Sequence, residues 1–329
     1  MPIIKLSEII KKAPRFFTIE PYLRLQDKPV SSHPEAREPR IVPLVVMDYG
    51  SVRSRLQQMR YEGLKEYFIG TIREMHISAR SIRENPYSGK RIMDSETRAE
   101  LEKYARSLGI AEIGYTRVNP RYIFRGFRIL YENAIVFTIE MDRAKIKGAP
   151  NMESFKEVFR TYYQVGLTVN KVAEWLRERG YNAHAGPAGG GDVNYIPMAI
   201  DAGLGVAGKH GLLMTRLNGP RVRLAAVYTD IENLPFSRGN PHGWIREYCE
   251  TCNLCVRKCP AGAIYFETRT HPDGGPVFID HTLCAGPFSN DNGCTLCIKH
   301  CPFSFGDYDR LKTAFKASML PANQPDYKR

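Results

Sequence analysis

The chain has 329 residues, 47 Lys and Arg against 35 Asp and Glu, a formal net charge of +12 and 43% hydrophobic residues. That length suits two domains, or one large domain with a small module, and the ordinary apolar content excludes wholesale disorder. No run approaches the roughly eighteen apolar residues of a spanning helix, and Glu8, Lys11 and Lys12 interrupt the stretch a signal peptide would need, so a cytoplasmic protein is expected.

Pro14, Pro21, Pro29, Pro34, Pro39 and Pro43 break any long helix in the first fifty residues, which read as a wrapping arm. Residues 1–130 hold 24 basic and 15 acidic side chains, a surplus that suits either a solvated face or an anionic partner. Apolar spacing predicts one or two helices from Val52 to Glu84, and another over Glu96–Leu108 with Ser95 as N-cap and Gly109 as stop. Ile110–Val118 and Ala134–Met141 are β-rich. Ser154–Arg179 then carries a helical stripe of Val158, Tyr162, Val165, Val169, Val172 and Leu176, ended by Gly180. A short strand at Tyr181–His184 follows, then a turn rich in glycine (Gly186, Gly189, Gly190, Gly191). Next come a helical stretch near Pro197–Ala202 and strands at Gly211–Thr215 and Val222–Asp230. Alternation of this kind predicts a mixed α/β core near 109–235. Asn233–His242, rich in Pro, Gly and Asn, bounds a different region.

All eight cysteines fall between Cys249 and Cys301. So large a chain needs no disulfide staples, and the clustering reads as metal ligation. Cys249, Cys252, Cys255 and Cys259-Pro260 form C-x2-C-x2-C-x3-C-P, the bacterial ferredoxin run. Cys284, Cys294, Cys297 and Cys301-Pro302 repeat it with the first interval stretched. In such runs the fourth cysteine serves the other cluster. One [4Fe–4S] cluster would thus take Cys249, Cys252, Cys255 and Cys301, and the second Cys259, Cys284, Cys294 and Cys297. Two structural zinc sites are the competing reading, but zinc does not require a three-cysteine run closed by Cys-Pro twice. Ala261–Phe266 fits a short strand behind the clusters. Two one-electron carriers beside a large α/β domain imply something to reduce within it. No flavin or nicotinamide fingerprint accompanies them: Gly203, Gly205 and Gly208 match G-x-G-x-x-G, but they follow a helical stretch instead of a strand.

The stretch Ala199-Ile-Asp-Ala-Gly203-Leu-Gly205-Val-Ala-Gly208-Lys209-His210-Gly211, with Gly219-Pro-Arg221-Val-Arg223 and Val227-Tyr-Thr-Asp230, resembles cobalamin-dependent reductive dehalogenases. It is similar, less closely, to epoxyqueuosine reductase. The resemblance covers about residues 105–305. It implies a nitroreductase-like α/β core holding a base-off corrinoid, with a C-terminal bacterial-ferredoxin-like module of two [4Fe–4S] clusters. No Asp-x-His-x-x-Gly segment is present to supply a lower cobalt ligand. The implied organisation is an arm and helical region (1–108), a cobalamin-binding core (109–240), the cluster module (241–308) and a tail (309–329).

The family's proton-donating tyrosine falls on Tyr162, with Tyr163 as fallback, and its arginine falls on Arg223. On its stripe alone, Tyr162 would be a core tyrosine. Corrinoid contacts would come from Pro197, Met198, Gly203, Leu204, Gly205, Gly208, Lys209, His210 and Arg221. Dehalogenases often place Asn or Lys near the substrate after the strand that follows the tyrosine helix. Here the segment is longer and glycine-rich, leaving His184 or Asn194 as substitutes. The expected activity is reductive dehalogenation, or related bond cleavage, of a small organic substrate, fed by a low-potential donor such as ferredoxin or flavodoxin. The alternatives are a tRNA-modifying reductase of the epoxyqueuosine type, favoured by the basic first 130 residues, and a non-catalytic two-cluster electron carrier.

Overall fold

A computed structural model of the chain describes residues 18–39, 42–187 and 192–319. Gly189, Gly190 and Gly191 of the predicted turn, the start of the proline-rich arm and the end of the tail lie outside the described residues.

From Val52 to Ser107 the chain is mainly helical, as its periodicity predicts, and a further helix, Val42–Tyr49, lies in the proline-rich stretch read as an irregular arm. After a two-residue strand β1 (Val30–Ser31) come α1 (Val42–Tyr49), α2 (Val52–Arg60), α3 (Leu64–Ser81) and α4 (Ser95–Ser107). The α4 cap is Asp94, not Ser95: its carboxylate accepts the Thr97 N–H at 2.7 Å. Either residue type can cap, so only the backbone turn decides between them. Gly109 follows with a positive φ of 93°.

The core then unfolds along the chain as β2 (Glu112–Arg117), β3 (Arg128–Ile129), β4 (Asn133–Glu140), α5 (Arg143–Lys147), α6 (Met152–Glu178), β5 (His184–Gly186), α7 (Tyr195–Asp201), β6 (Gly205–Ala207), β7 (Leu213–Thr215) and β8 (Val222–Thr229). Strand β5 lies later than the predicted Tyr181–His184. Four strands make one antiparallel sheet in the order β2-β4-β8-β5, with Ile139 opposite Arg223 and His184 opposite Tyr228. Side chains alternate between its faces. Ile135, Phe137, Ile139, Ala225 and Val227 pack with the α6 stripe Val165, Val169, Val172 and Leu176. Ala134, Val136, Ala226 and Tyr228 pack on the opposite face with Met198 and Ala199 of α7.

Helix α6 begins two residues before the predicted start because Asn151 caps it. The Asn151 side chain accepts from the Ser154 N–H, and the Ser154 hydroxyl accepts from the Asn151 N–H. Helix α3 lies against it: the Tyr163 ring fills the space where a Gly70 side chain would sit, and Asn170 donates to the buried Glu74 carboxylate at 2.9 Å. The helices before residue 108 therefore share the core's packing.

The cysteine region contains α8 (Trp244–Cys252), α9 (Leu254–Arg257), a hairpin of β9 (Ile264–Thr270) and β10 (Pro276–Ile279), α10 (His281–Asn290), α11 (Leu296–Lys299), α12 (Pro302–Phe305) and α13 (Tyr308–Met319). It is fastened to the core by side chains reaching carbonyls: Arg221 to Ser304 at 2.6 Å, Arg143 to Phe305 at 2.6 Å and Lys299 to Ala149 at 2.5 Å. Among the described residues, no helix is long and apolar enough to cross a membrane.

Candidate functional site

The two cysteine runs fold as near repeats. Helices α9 and α11 each start within a Cys-x-x-Cys, and Asn253 and Thr295, at equivalent positions, both hold left-handed backbone (φ 51° and 55°). Such a conformation suits Asn and is uncommon for the β-branched Thr. The strain recurs where two successive thiols must turn towards one centre.

Cys249, Cys252 and Cys255 lie close enough to Cys301 to shift its thiol, and Cys284, Cys294, Cys255 and Cys259 do the same to Cys297. Burial above all, together with nearby Cys249, Cys255 and Cys252, pushes the Cys301 thiol well up. Burial, then Cys249 and Cys252, lifts Cys255 to about 11. Cys297 is raised by burial and then by Cys284 and Cys294, with smaller effects from Cys255 and Cys259. Such crowding is unfavourable for bare thiolates and suits thiols that serve as metal ligands. Backbone N–H groups point at the sulfurs as well, with Ala263 donating to Cys259 at 3.3 Å and Lys209 donating to Cys249. A narrow recess of only about 20 Å³ is lined by Cys249, Cys252, Cys255 and Cys301.

Lys209 and His210 form one wall of that recess. Neither is a surface group. Lys209 is buried, pairs with Glu250 at 2.7 Å and lies over the Phe266 ring, and burial holds His210 down to about 4. Sequence reasoning missed Met214, whose sulfur lies 4.0 Å from Cys301 Sγ; a lone methionine in a β-rich run carries no signal of that placement.

Arg223 and Tyr162 meet. The guanidinium stands 4.4 Å over the Tyr162 ring, a cation–π arrangement. Arg223 Nε is buried without a hydrogen-bond partner, and Nη1 reaches only the neighbouring Val222 carbonyl at 3.5 Å. Tyr162 borders two apolar clusters, the sheet layer and a second one that includes Ile298 and Cys297. The fallback Tyr163 turns away, against Gly70 and Tyr67.

Other expected contacts have different roles. His184 does not join the pair. Strand alternation puts its ring on the opposite sheet face from Arg223, beside Tyr228 and 3.5 Å from Asp192. Asn194 caps α7, its side chain accepting from the Ile196 N–H. Met198 and Leu204 lie in the apolar layer and Pro197 is half-buried on α7. Arg221 is occupied by Glu140, Met141 and Ser304. The glycines make room for the chain itself: a Cβ on Gly205 would lie 2.1 Å from the Met214 carbonyl, one on Gly203 would meet Ser237, and one on Gly208 would meet His210 and Met214.

A ferredoxin-like cysteine module docked on an α/β core that presents a tyrosine–arginine pair defines an iron–sulfur protein of reductase type. Residues 248–305 match the 4Fe–4S dicluster domain family. A tetrachloroethene reductive dehalogenase from Desulfitobacterium hafniense is 37% identical over 240 residues, which are 68% of this chain and 42% of that protein. An epoxyqueuosine reductase from Listeria monocytogenes is 29% identical over 123 residues, 35% of this chain and 31% of that protein. In fold, a catabolic reductive dehalogenase, NpRdhA, solved with 3-bromo-4-hydroxybenzoic acid, superposes with a TM-score of 0.64 at 19% identity, over 95% of this chain and 49% of that one. Over about two thirds of its length the chain is homologous to reductive dehalogenases, and over a shorter stretch to epoxyqueuosine reductases. It spans less than half the length of the dehalogenase relatives it matches.

The family implies a corrinoid besides the iron–sulfur clusters. The thiol sets fit the clusters. For the corrinoid, the fitting feature is the half-buried Arg223 beside a phenol, with its Nε buried and unpaired.

Proposed function

We propose that the chain is a corrinoid- and iron–sulfur-dependent reductase that removes a halogen, or a comparable leaving group, from a small organic molecule. When bound, the clusters carry single electrons and the corrinoid supplies the reducing centre for carbon–halogen cleavage. Cys249, Cys252, Cys255 and Cys301 hold one cluster, and Cys259, Cys284, Cys294 and Cys297 the other.

Tyr162 holds the proton that replaces the leaving group, on its phenolic oxygen. Arg223 sets a fixed positive charge over the ring of the proton donor. Its stacking also restricts how the ring can turn, so the phenol is held in one orientation. The observation that carries this reading is the guanidinium standing 4.4 Å over Tyr162 with its Nε unsatisfied.

The test is Tyr162→Phe beside Tyr163→Phe, assayed with reconstituted protein and a halogenated phenol or alkene. Tyr162→Phe should keep its iron content and lose turnover by about a hundredfold or more, the scale of general acid catalysis, while Tyr163→Phe stays active. Unimpaired turnover in Tyr162→Phe would remove the proton-donor role.

The relationship to epoxyqueuosine reductases supports a second reading, a tRNA-modifying reductase. It calls for tRNA affinity that falls steeply with salt; binding insensitive to salt, or none, counts against it.

A further inference from the structure

Helix α2 has one face that nothing described covers. Val52, Leu56 and Met59, at i, i+4 and i+7, are 65%, 48% and 64% exposed, an apolar stripe turned outward. The same helix carries Arg53, Arg55 and Arg60 and no acidic residue, with Arg53 and Arg60 exposed. Its N-cap and inner side are tied to α10: the Ser51 N–H of the cap donates to Asn290 Oδ1 at 2.8 Å, and the buried Gln58 amide of the helix donates to the Ser289 carbonyl at 2.9 Å. Asn290 also donates to the Tyr49 carbonyl, at the end of α1, at 3.1 Å. Helix α10 carries Cys284, assigned above to the second cluster, and Leu283 beside it is 50% exposed. An apolar, basic surface is thus fixed rigidly to the helix that presents a cluster ligand.

We infer that the α2 face is the docking surface for a small acidic electron-carrier protein that reduces the second cluster. The inference rests on the reading of Cys284 as a cluster ligand. The arginines supply charge complementarity and steer the encounter, and the stripe supplies contact area that excludes water. One electron leaves the donor, oxidising it by one unit, and enters the oxidised cluster held through Cys284, reducing it by one unit. No bond is made or broken at the interface.

The probe is a flavodoxin, tested for binding to the cluster-loaded chain at low salt and, as the hydroquinone, for anaerobic reduction of the clusters. Arg53→Glu/Arg60→Glu, and separately Leu56→Asp, should each weaken binding and slow reduction about tenfold. The control Lys103→Glu/Lys171→Glu changes the net charge equally on exposed positions of α4 and α6 and should leave both unchanged. Dithionite, which needs no docking surface, should reduce parent and variants at one rate. Equal flavodoxin binding by parent and α2 variants, or equal loss in the control, overturns the inference. So does a concentration-dependent dimer that the α2 variants dissolve, which would assign the face to a second copy. Neither readout needs corrinoid or substrate, so failure here is separable from failure of the reductase reading.

Discussion

Arg223 is half-buried, but its Nε is buried without an acceptor, and an unsatisfied buried donor costs about 1–3 kcal/mol. Replacing it with Met keeps the bulk and removes that penalty. Arg223→Met should therefore match or exceed the parent in thermal stability while losing most turnover; a variant both less stable and fully active would contradict its role. His184 and Asp192 behave differently. They sit within ion-pair reach, yet burial favours the neutral pair: burial, aided by Arg177, holds His184 at about 3, and burial, aided by Glu20, lifts Asp192 to about 8. Between about pH 4 and 6.5 the folded pair holds one proton on Asp192 and the unfolded chain holds one on His184, so stability is level. Above that the unfolded chain releases its proton while the folded pair keeps it up to about 8, and stability falls by about 2 kcal/mol. Below about 4 the unfolded chain takes a second proton that His184 refuses, and stability falls again. Asp192→Asn should abolish the decline between pH 6.5 and 8 in melting curves; an identical slope in the variant would show that another group causes it. Nothing in the sequence announced this pair, because a His on a short strand and an Asp eight residues on reveal no burial.

Elements were more legible where one periodicity dominates. The α6 stripe at Val158, Val165, Val169, Val172 and Leu176 is fully buried, since a 3.6-residue repeat can be satisfied in only one way against a sheet. The same stripe could not separate Tyr162 from its neighbours; that needed Arg223, which lies 61 positions on and meets it only through the β4–β8 register. The glycines between Gly203 and Gly208 were harder still, because close approach to a ligand and close approach to the chain demand the same missing Cβ. The hairpin of β6 and β7 shows the second case. Gly205→Ala would press a methyl against the Met214 carbonyl, and overpacking against backbone costs about 1–3 kcal/mol or more. The variant should melt several degrees lower than the parent in the absence of corrinoid; an unchanged melting temperature would return Gly205 to the list of cofactor contacts.

For the whole molecule, the cysteine spacing carried the most information, because cluster geometry dictates it directly. Cys297→Ala should leave about four irons per chain where the parent holds about eight; an unchanged iron count would break the ligand scheme. The docking of that module onto the core was not legible, since it depends on Arg221, Arg143 and Lys299 reaching carbonyls, and a basic residue in sequence looks equally like a solvated one. In the proposed function, the core reduces its substrate through a corrinoid. The most direct test is anaerobic titration of cluster-loaded protein with cobalamin, followed by visible absorbance and EPR. Stoichiometric binding with a base-off cobalt(II) signal is the predicted result. Intact clusters with no cobalamin bound would contradict the account.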